Sequence, residues 1–304
     1  MKINNIQVVS LRSDLGLATI QHLFSRSSVL LASTLLFVSP GAWPQQVLQE
    51  NQPFSSAIIR ERGQPIIPTY EGWFANDDGS YTLCYGYFNM NTKQSLEIPL
   101  GDSNWMEGLE DGVTAALPPP THFDPTPLAY RRKFCVFTVD VPADFGRQKR
   151  VTWHLDSAGQ TFTAKGHLLP PFILDEPEAL GRKTIAPLIT ISKGEEPKRG
   201  RSGVHAKTKI SAKVGQPVAL KLEAIDHERE KVWVGWSKYS GPGEVVFLQN
   251  EFTYTTEEVV SNSAEATFSE PGEYVVYAQA IHSIADFEFF CCHTNAYLSV
   301  TVSP

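Results

Sequence analysis

The chain is 304 residues long, with 42% hydrophobic and 19% charged residues, which suffices for a buried core in one to three domains. Its formal net charge is −7, and this excludes the dominant basic face that a nucleic-acid binder needs.

The chain opens with an address. Lys2, Arg12 and Arg26 precede the apolar run VLLASTLLFV (Val29 to Val38), and small residues follow near Gly41 and Ala42. A positive leader, an apolar stretch of roughly 7–15 residues and small residues at its exit describe a secretory signal peptide. The run is too short to span a bilayer, which takes about 20 residues. Residues 1–42 are therefore expected as a signal peptide. The mature protein is expected to be secreted, periplasmic or at the cell surface, with no transmembrane segment. Residues 43–63 are polar and weakly patterned, and read as a flexible lead-in.

From Gln64 the pattern changes to short alternating segments broken by Gly, Pro, Asn and Asp, the signature of an all-β sandwich. The clearest hairpin is YEGWFANDDGSYTLCYGYFNMN, where Asn76-Asp77-Asp78-Gly79 supplies the turn between two β-rich runs. In the second run Tyr81, Leu83, Tyr85 and Tyr87 share one face, and Thr82, Cys84, Gly86 and Phe88 share the other. Further strands are expected at Ser95–Ile98, Phe134–Val141, Arg150–Leu155 and Gln160–Ala164. Residues 101–130 carry too much Pro and Gly for regular structure and read as a long excursion, the kind of loop that often carries function. This first sandwich is expected to span residues 64–175.

A boundary falls in LLPPFILDEPEALGRK, and a second sandwich is expected over residues 184–304. EEPKRGRSGVHAKTK reads as a solvated basic insertion, whose Lys198, Arg199, Arg201, Lys207 and Lys209 could attract an anionic partner. In KVWVGWS, Val232, Val234 and Trp236 share a face, which makes Trp236 the core tryptophan of an immunoglobulin-like sandwich and turns Trp233 outward. The segments APLITI, VGQPVALKLEAID, WSKYSGPG, ATFSEPGEYVVYAQA and the terminal VTV together resemble the PKD-type immunoglobulin-like repeat. The acidic, Gly-rich turn usual in that family is replaced here by Asp226-His227-Glu228-Arg229-Glu230, and its W-x-F-G-D-G motif is absent, so the resemblance does not carry a calcium site over to this chain. The pairing of the two sandwiches also resembles a group of uncharacterised exported bacterial proteins, a likeness that implies no activity.

Four cysteines allow three connectivities. Cys84 and Cys135 lie in expected strands of the first sandwich with a long loop between them. A bridge there would restrict the unfolded chain by roughly 4 kcal/mol on the loop-entropy account. Cys291 and Cys292 are neighbours, and three readings stay open for them: a strained vicinal disulfide, two separate cysteines, or a metal site shared with His293 and His282.

Catalytic patterns are thin. Gly101-Asp102-Ser103-Asn104 resembles the nucleophile block of GDS-type hydrolases, but no Asp-x-x-His follows it and the serine lacks a base. His122–Asp124 and His154–Asp156 place a His and an Asp two residues apart on extended chain and read as surface hydrogen-bond pairs. The expected function is that of an exported, non-catalytic binding or adhesion protein without a cofactor. Its partner would be a polysaccharide or a cell-surface protein, met through Trp73 and Trp105 beside the long loop and through Trp233. The alternative is a metal-binding protein or enzyme centred on Cys291, Cys292 and His293.

Overall fold

The computed structural model describes residues 61–110, 112–125, 132–174, 185–191, 196–225, 231–255, 259–282 and 293–304. These all lie in one compact unit, Pro53–Pro304. The expected signal peptide, residues 1–42, and residues 43–60 of the expected lead-in lie outside the described residues, as do Cys291 and Cys292.

Among the described residues the chain is all-β, and its strands build two sandwiches. In the first, β1 (Ile66–Ala75) and β2 (Tyr81–Asn89) form the expected hairpin. Its turn is closed by Asn76 N–H to Ser80 O at 2.9 Å, with Gly79 at φ 84°, where an L side chain would be strained. β7 (Arg132–Val141) and β5 (Thr114–Ala115) complete this sheet in the order β1-β2-β7-β5. A second sheet of β4 (Asn104–Glu107), β8 (Val151–Ser157) and β9 (Gln160–Gly166) packs over it. Alternation selects the core: Leu83 and Tyr85 from β2 and Phe137 and Val139 from β7 meet Val151, Trp153 and Leu155 from β8, all essentially inaccessible to water. β3 (Leu96–Glu97) and β6 (His122–Phe123) pair beside them.

The described part of the expected excursion, residues 101–110 and 112–125, is more regular than its composition predicts, because it contains β4, β5 and β6. Its Pro and Gly residues bend the chain between short strands, and one buried amide ties the ends together. Asn104 Nδ2 donates to Ile98 O at 3.1 Å and to Pro120 O at 2.8 Å, while its Oδ1 accepts from Trp153 Nε1 at 2.8 Å.

In the second sandwich β10 (Leu188–Thr190), β13 (Val218–Ile225), β17 (Val259–Phe268) and β15 (Val245–Phe247) form one sheet. The other runs β11 (Val204–His205), β19 (His293–Ser303), β18 (Gly272–His282), β14 (Lys231–Ser240) and β16 (Glu251–Thr255), with β12 (Ile210–Lys213) parallel to β19. This is an immunoglobulin-like arrangement. Trp236 is buried as its phase predicts, and its Nε1 donates to Asn262 Oδ1 at 2.6 Å. Near the start of β18, Tyr274 Oη donates to Glu270 O at 2.8 Å, the tyrosine corner of such folds. Two residues on, where antibody domains carry a cysteine, stands the buried Val276.

The basic stretch is not a solvated insertion. Val204 and His205 pair with Ala296 and Tyr297 of β19, and Arg201 is buried, its carbonyl accepting from Asn295 Nδ2 at 2.9 Å. The sheet edge of β19 offered backbone groups that this segment satisfies, and its glycines allow the close approach. Lys198, Lys207 and Lys209 remain exposed.

The outer face of β14, β18 and β19 is covered by the first sandwich. Tyr239, Tyr277 and Tyr297 are buried among the first sandwich's core residues. Tyr239 Oη donates to Pro118 O at 2.5 Å, Tyr297 Oη to Val136 O at 2.7 Å, and Asn295 Nδ2 to Cys135 O at 2.7 Å. Lys238 Nζ reaches Glu97 Oε1 at 2.7 Å, and Thr121 N–H donates to Tyr239 O at 3.0 Å.

Candidate functional site

At this seam lies a cavity of about 140 Å³. Its lining comes from both halves. Asp124 and Lys133 face Trp233, Tyr277, Gln279 and Glu251 across it. The first pair is held by β6 and by the start of β7; the others come from β14, β18 and β16.

Trp233 is where its outward phase on β14 predicts, half-buried on the face opposite Trp236. It lies across its own strand: a Cβ on Gly235 would collide with the outer atoms of the Trp233 ring. The missing side chain at position 235 therefore makes room for the indole at the cavity wall.

Lys133 carries the cation of the site. Among the described residues its ammonium makes no hydrogen bond and no close ion pair. Desolvation pulls its pKa below the ordinary lysine value, while the carboxylates of Asp124 and Glu251 push it back. Asp124 is fixed from behind. It accepts from His122 Nε2 at 2.8 Å and from Ser95 Oγ at 3.2 Å. Burial acts to raise its pKa, but the bonded and charged His122 outweighs this and keeps Asp124 below the usual carboxylate range. His122 holds Glu97 Oε1 on its other nitrogen at 2.6 Å. Burial opposes its charge too, yet the two carboxylates lift its pKa to about 9, so the ring is an imidazolium at neutral pH. Gln279 Nε2 is used on Tyr277 Oη at 2.8 Å and Asn295 Oδ1 at 3.1 Å. The cleft thus offers an aromatic plane, one ammonium and two carboxylates within a small volume.

Of the other sequence candidates, Trp73 is committed inside its own sandwich. Its Nε1 donates to Leu169 O at 2.9 Å, and Tyr81 meets its ring edge-on. Trp105 lies on the outer face of β4, stacked at 4.5 Å on His154, whose Nε2 pairs with Glu107 Oε2 at 2.9 Å. Because Trp73 packs with the inner layer and Trp105 with an outer face, the structure does not bring them together. It brings neither to Trp233. His122 and Asp124 do pair, whereas Asp156 accepts from Thr161 instead of His154. Gly101 and Asn104 close a two-way backbone turn around Asp102 and Ser103.

Cys84 and Cys135 are bonded, with Cα atoms 5.1 Å apart, as expected. His282 and His293 are buried at the adjoining ends of β18 and β19. Among the described residues no three His, Cys, Asp or Glu side chains gather to hold a metal ion.

Sequence reasoning missed Lys133, Glu251 and Gln279. Lys133 sits in the plain basic run Arg131-Arg132-Lys133, and nothing local distinguishes it from a solvated strand end. Only the second half of the chain, folded over it, makes it part of a site.

The sequence matches no protein-family model and no curated protein. Among solved structures it is similar to a PapD-like domain of human CEP192, at 11% identity over 33% of this chain and 82% of that one, with a TM-score of 0.26. It is also similar to the D0-D1 domain of intimin, at 12% identity over 78% and 100% of the two chains and a TM-score of 0.24. Titin-A168169 gives 11% identity over 79% and 100%, with a TM-score of 0.24. The fold assignment rests on strand order and burial, not on these likenesses.

Proposed function

We propose that this is an exported, non-catalytic binding protein of PKD-like architecture, which holds a carbohydrate or protein ligand of the cell surface at the seam cleft. The carrying observation is the half-buried Lys133 beside Trp233, whose ammonium makes no hydrogen bond to a protein group among the described residues. A partly desolvated ammonium is solvated less well than one in open water, so a ligand that supplies an acceptor there is favoured. The Cys84–Cys135 bridge supports a place in an oxidising compartment. The groups in the cleft suit recognition: the aspartate is already engaged by His122, and Ser237, which also lines the cavity, makes no hydrogen bond to a histidine among the described residues.

The test is calorimetric. The disulfide-intact protein, titrated with soluble saccharides, basic and acidic peptides and solubilised cell-envelope fractions, should bind at least one class. Trp233→Ala should weaken that binding at least tenfold, and Trp105→Ala should leave it unchanged. Absence of binding across the whole panel, or binding indifferent to Trp233→Ala, would count against this reading.

A further inference from the structure

Resting on that reading, we infer that the unit seated in the cleft is a single neutral pyranose ring. Size sets the first limit. A cavity of about 140 Å³ is close to the roughly 150 Å³ that accommodates one benzene-sized ring in an engineered protein cavity. The ring body of one sugar is matched to this space; its outer hydroxyls, and any further rings, would have to point outward into solvent.

Charge sets the second limit. Lys133 calls for a hydrogen-bond acceptor, and the carboxylates of Asp124 and Glu251 call for donors, within the same small space. A carboxylate- or phosphate-bearing ligand would satisfy Lys133 and face two like charges. A ligand bearing an ammonium would satisfy the carboxylates and face Lys133 at close quarters. Hydroxyl groups donate and accept, so a ring carrying several can serve both signs at once without bringing in net charge. The amide of Gln279, another lining residue, has its nitrogen used on Tyr277 and Asn295, which leaves its oxygen as an acceptor for the same kind of donor.

Shape sets the third. The Trp233 indole, seated over Gly235, offers a flat apolar plane, and the axial C–H face of a pyranose is the complementary surface. Trp233 would supply contact area and orientation, Lys133 and Asp124 the choice among hydroxyl positions.

Titration of the full chain with methyl glucoside, methyl galactoside, methyl mannoside, glucuronic acid, glucosamine and inorganic phosphate separates the possibilities. At least one neutral glycoside should bind, and at least tenfold more tightly than glucuronic acid, glucosamine or phosphate. Lys133→Met should weaken the neutral sugar about tenfold. Because Lys133 is half-buried, the exposed rim variant Glu251→Gln serves as the second arm: it should keep the native melting temperature and narrow the discrimination against glucuronic acid by several-fold. Preference for the acid, the amine or phosphate would overturn the inference while leaving a binding cleft in place. So would Trp233-dependent binding of a peptide with no affinity for any sugar. Absence of binding by every probe in both panels would remove the binding reading itself.

Discussion

At position 235 a hydrogen in place of a side chain decides where an indole sits. Gly235 separates Trp233 from Trp236 on β14, and the two tryptophans have opposite fates: Trp236 is locked in the core by Asn262, while Trp233 lies over the gap that Gly235 leaves. Gly235→Ala places a methyl group where the outer ring atoms are. The ring is the free end of a side chain on the cavity side, so it can swing away at small cost to the fold. The expected outcome is a melting temperature within a few degrees of wild type and ligand affinity reduced about tenfold or more, read by calorimetry alongside thermal unfolding. Unchanged affinity would show that the seat of the ring is not what binds. The opposite directions of the two tryptophans were legible from strand alternation alone. The role of the glycine between them was not, because its meaning lies in a contact two residues away across the strand surface.

The pairing of β2 with β7 carries an irregularity on which several features depend. The register shifts between Tyr85 and Tyr87, where three residues of β7 oppose the single Gly86, and Cys135, the middle of the three, takes φ 49°. The bulge brings Cys135 to Cys84, aims Lys133 toward the seam, and leaves beneath it the buried Glu71, paired with Arg132 and accepting from Thr69 Oγ1 at 2.6 Å. Gly86 makes this possible: a Cβ there would strike the Lys133 carbonyl and a Glu71 carboxylate oxygen. Neither can retreat cheaply, since one is backbone and the other a buried, bonded charge. Gly86→Ala should therefore destabilise the protein by about 2–4 kcal/mol, measured by denaturant unfolding with the disulfide intact. A change under about 0.5 kcal/mol, the level of an ordinary surface substitution, would contradict this account of the bulge. At this scale the sequence was informative where a local pattern decides. The Asn76–Gly79 hairpin, the strands over Phe134–Val141, Arg150–Leu155 and Gln160–Ala164, and the Cys84–Cys135 pair all form. It was uninformative where a distant surface decides: the basic stretch became an edge strand only because β19 had a free edge to pair.

At the scale of the whole molecule, the decisive feature is that the outer face of the immunoglobulin-like sheet is not a surface. Tyr239, Tyr277 and Tyr297 each bury a large ring against the first sandwich, worth about 1.5–3 kcal/mol apiece, and their hydroxyls are satisfied by Pro118, Asn295 and Val136. These tyrosines alternate with core residues along their strands, so the sequence shows them as outward-facing aromatics without showing what covers them. The cleft is a by-product of that docking, built from side chains of both halves, and no single segment of sequence contains it. The chain's six tryptophans give a direct means of locating a ligand there. In a nitrogen–proton correlation spectrum of the isotopically labelled protein, titration with the best-binding methyl hexoside should move the Trp233 indole signal and the Lys133 backbone amide together, at the same apparent affinity. The indole signals of Trp153 and Trp236, bonded inside their cores, should stay in place. Saturable shifts confined to Trp105 or Trp73, with Trp233 and Lys133 unmoved, would contradict the assignment of the ligand to the seam.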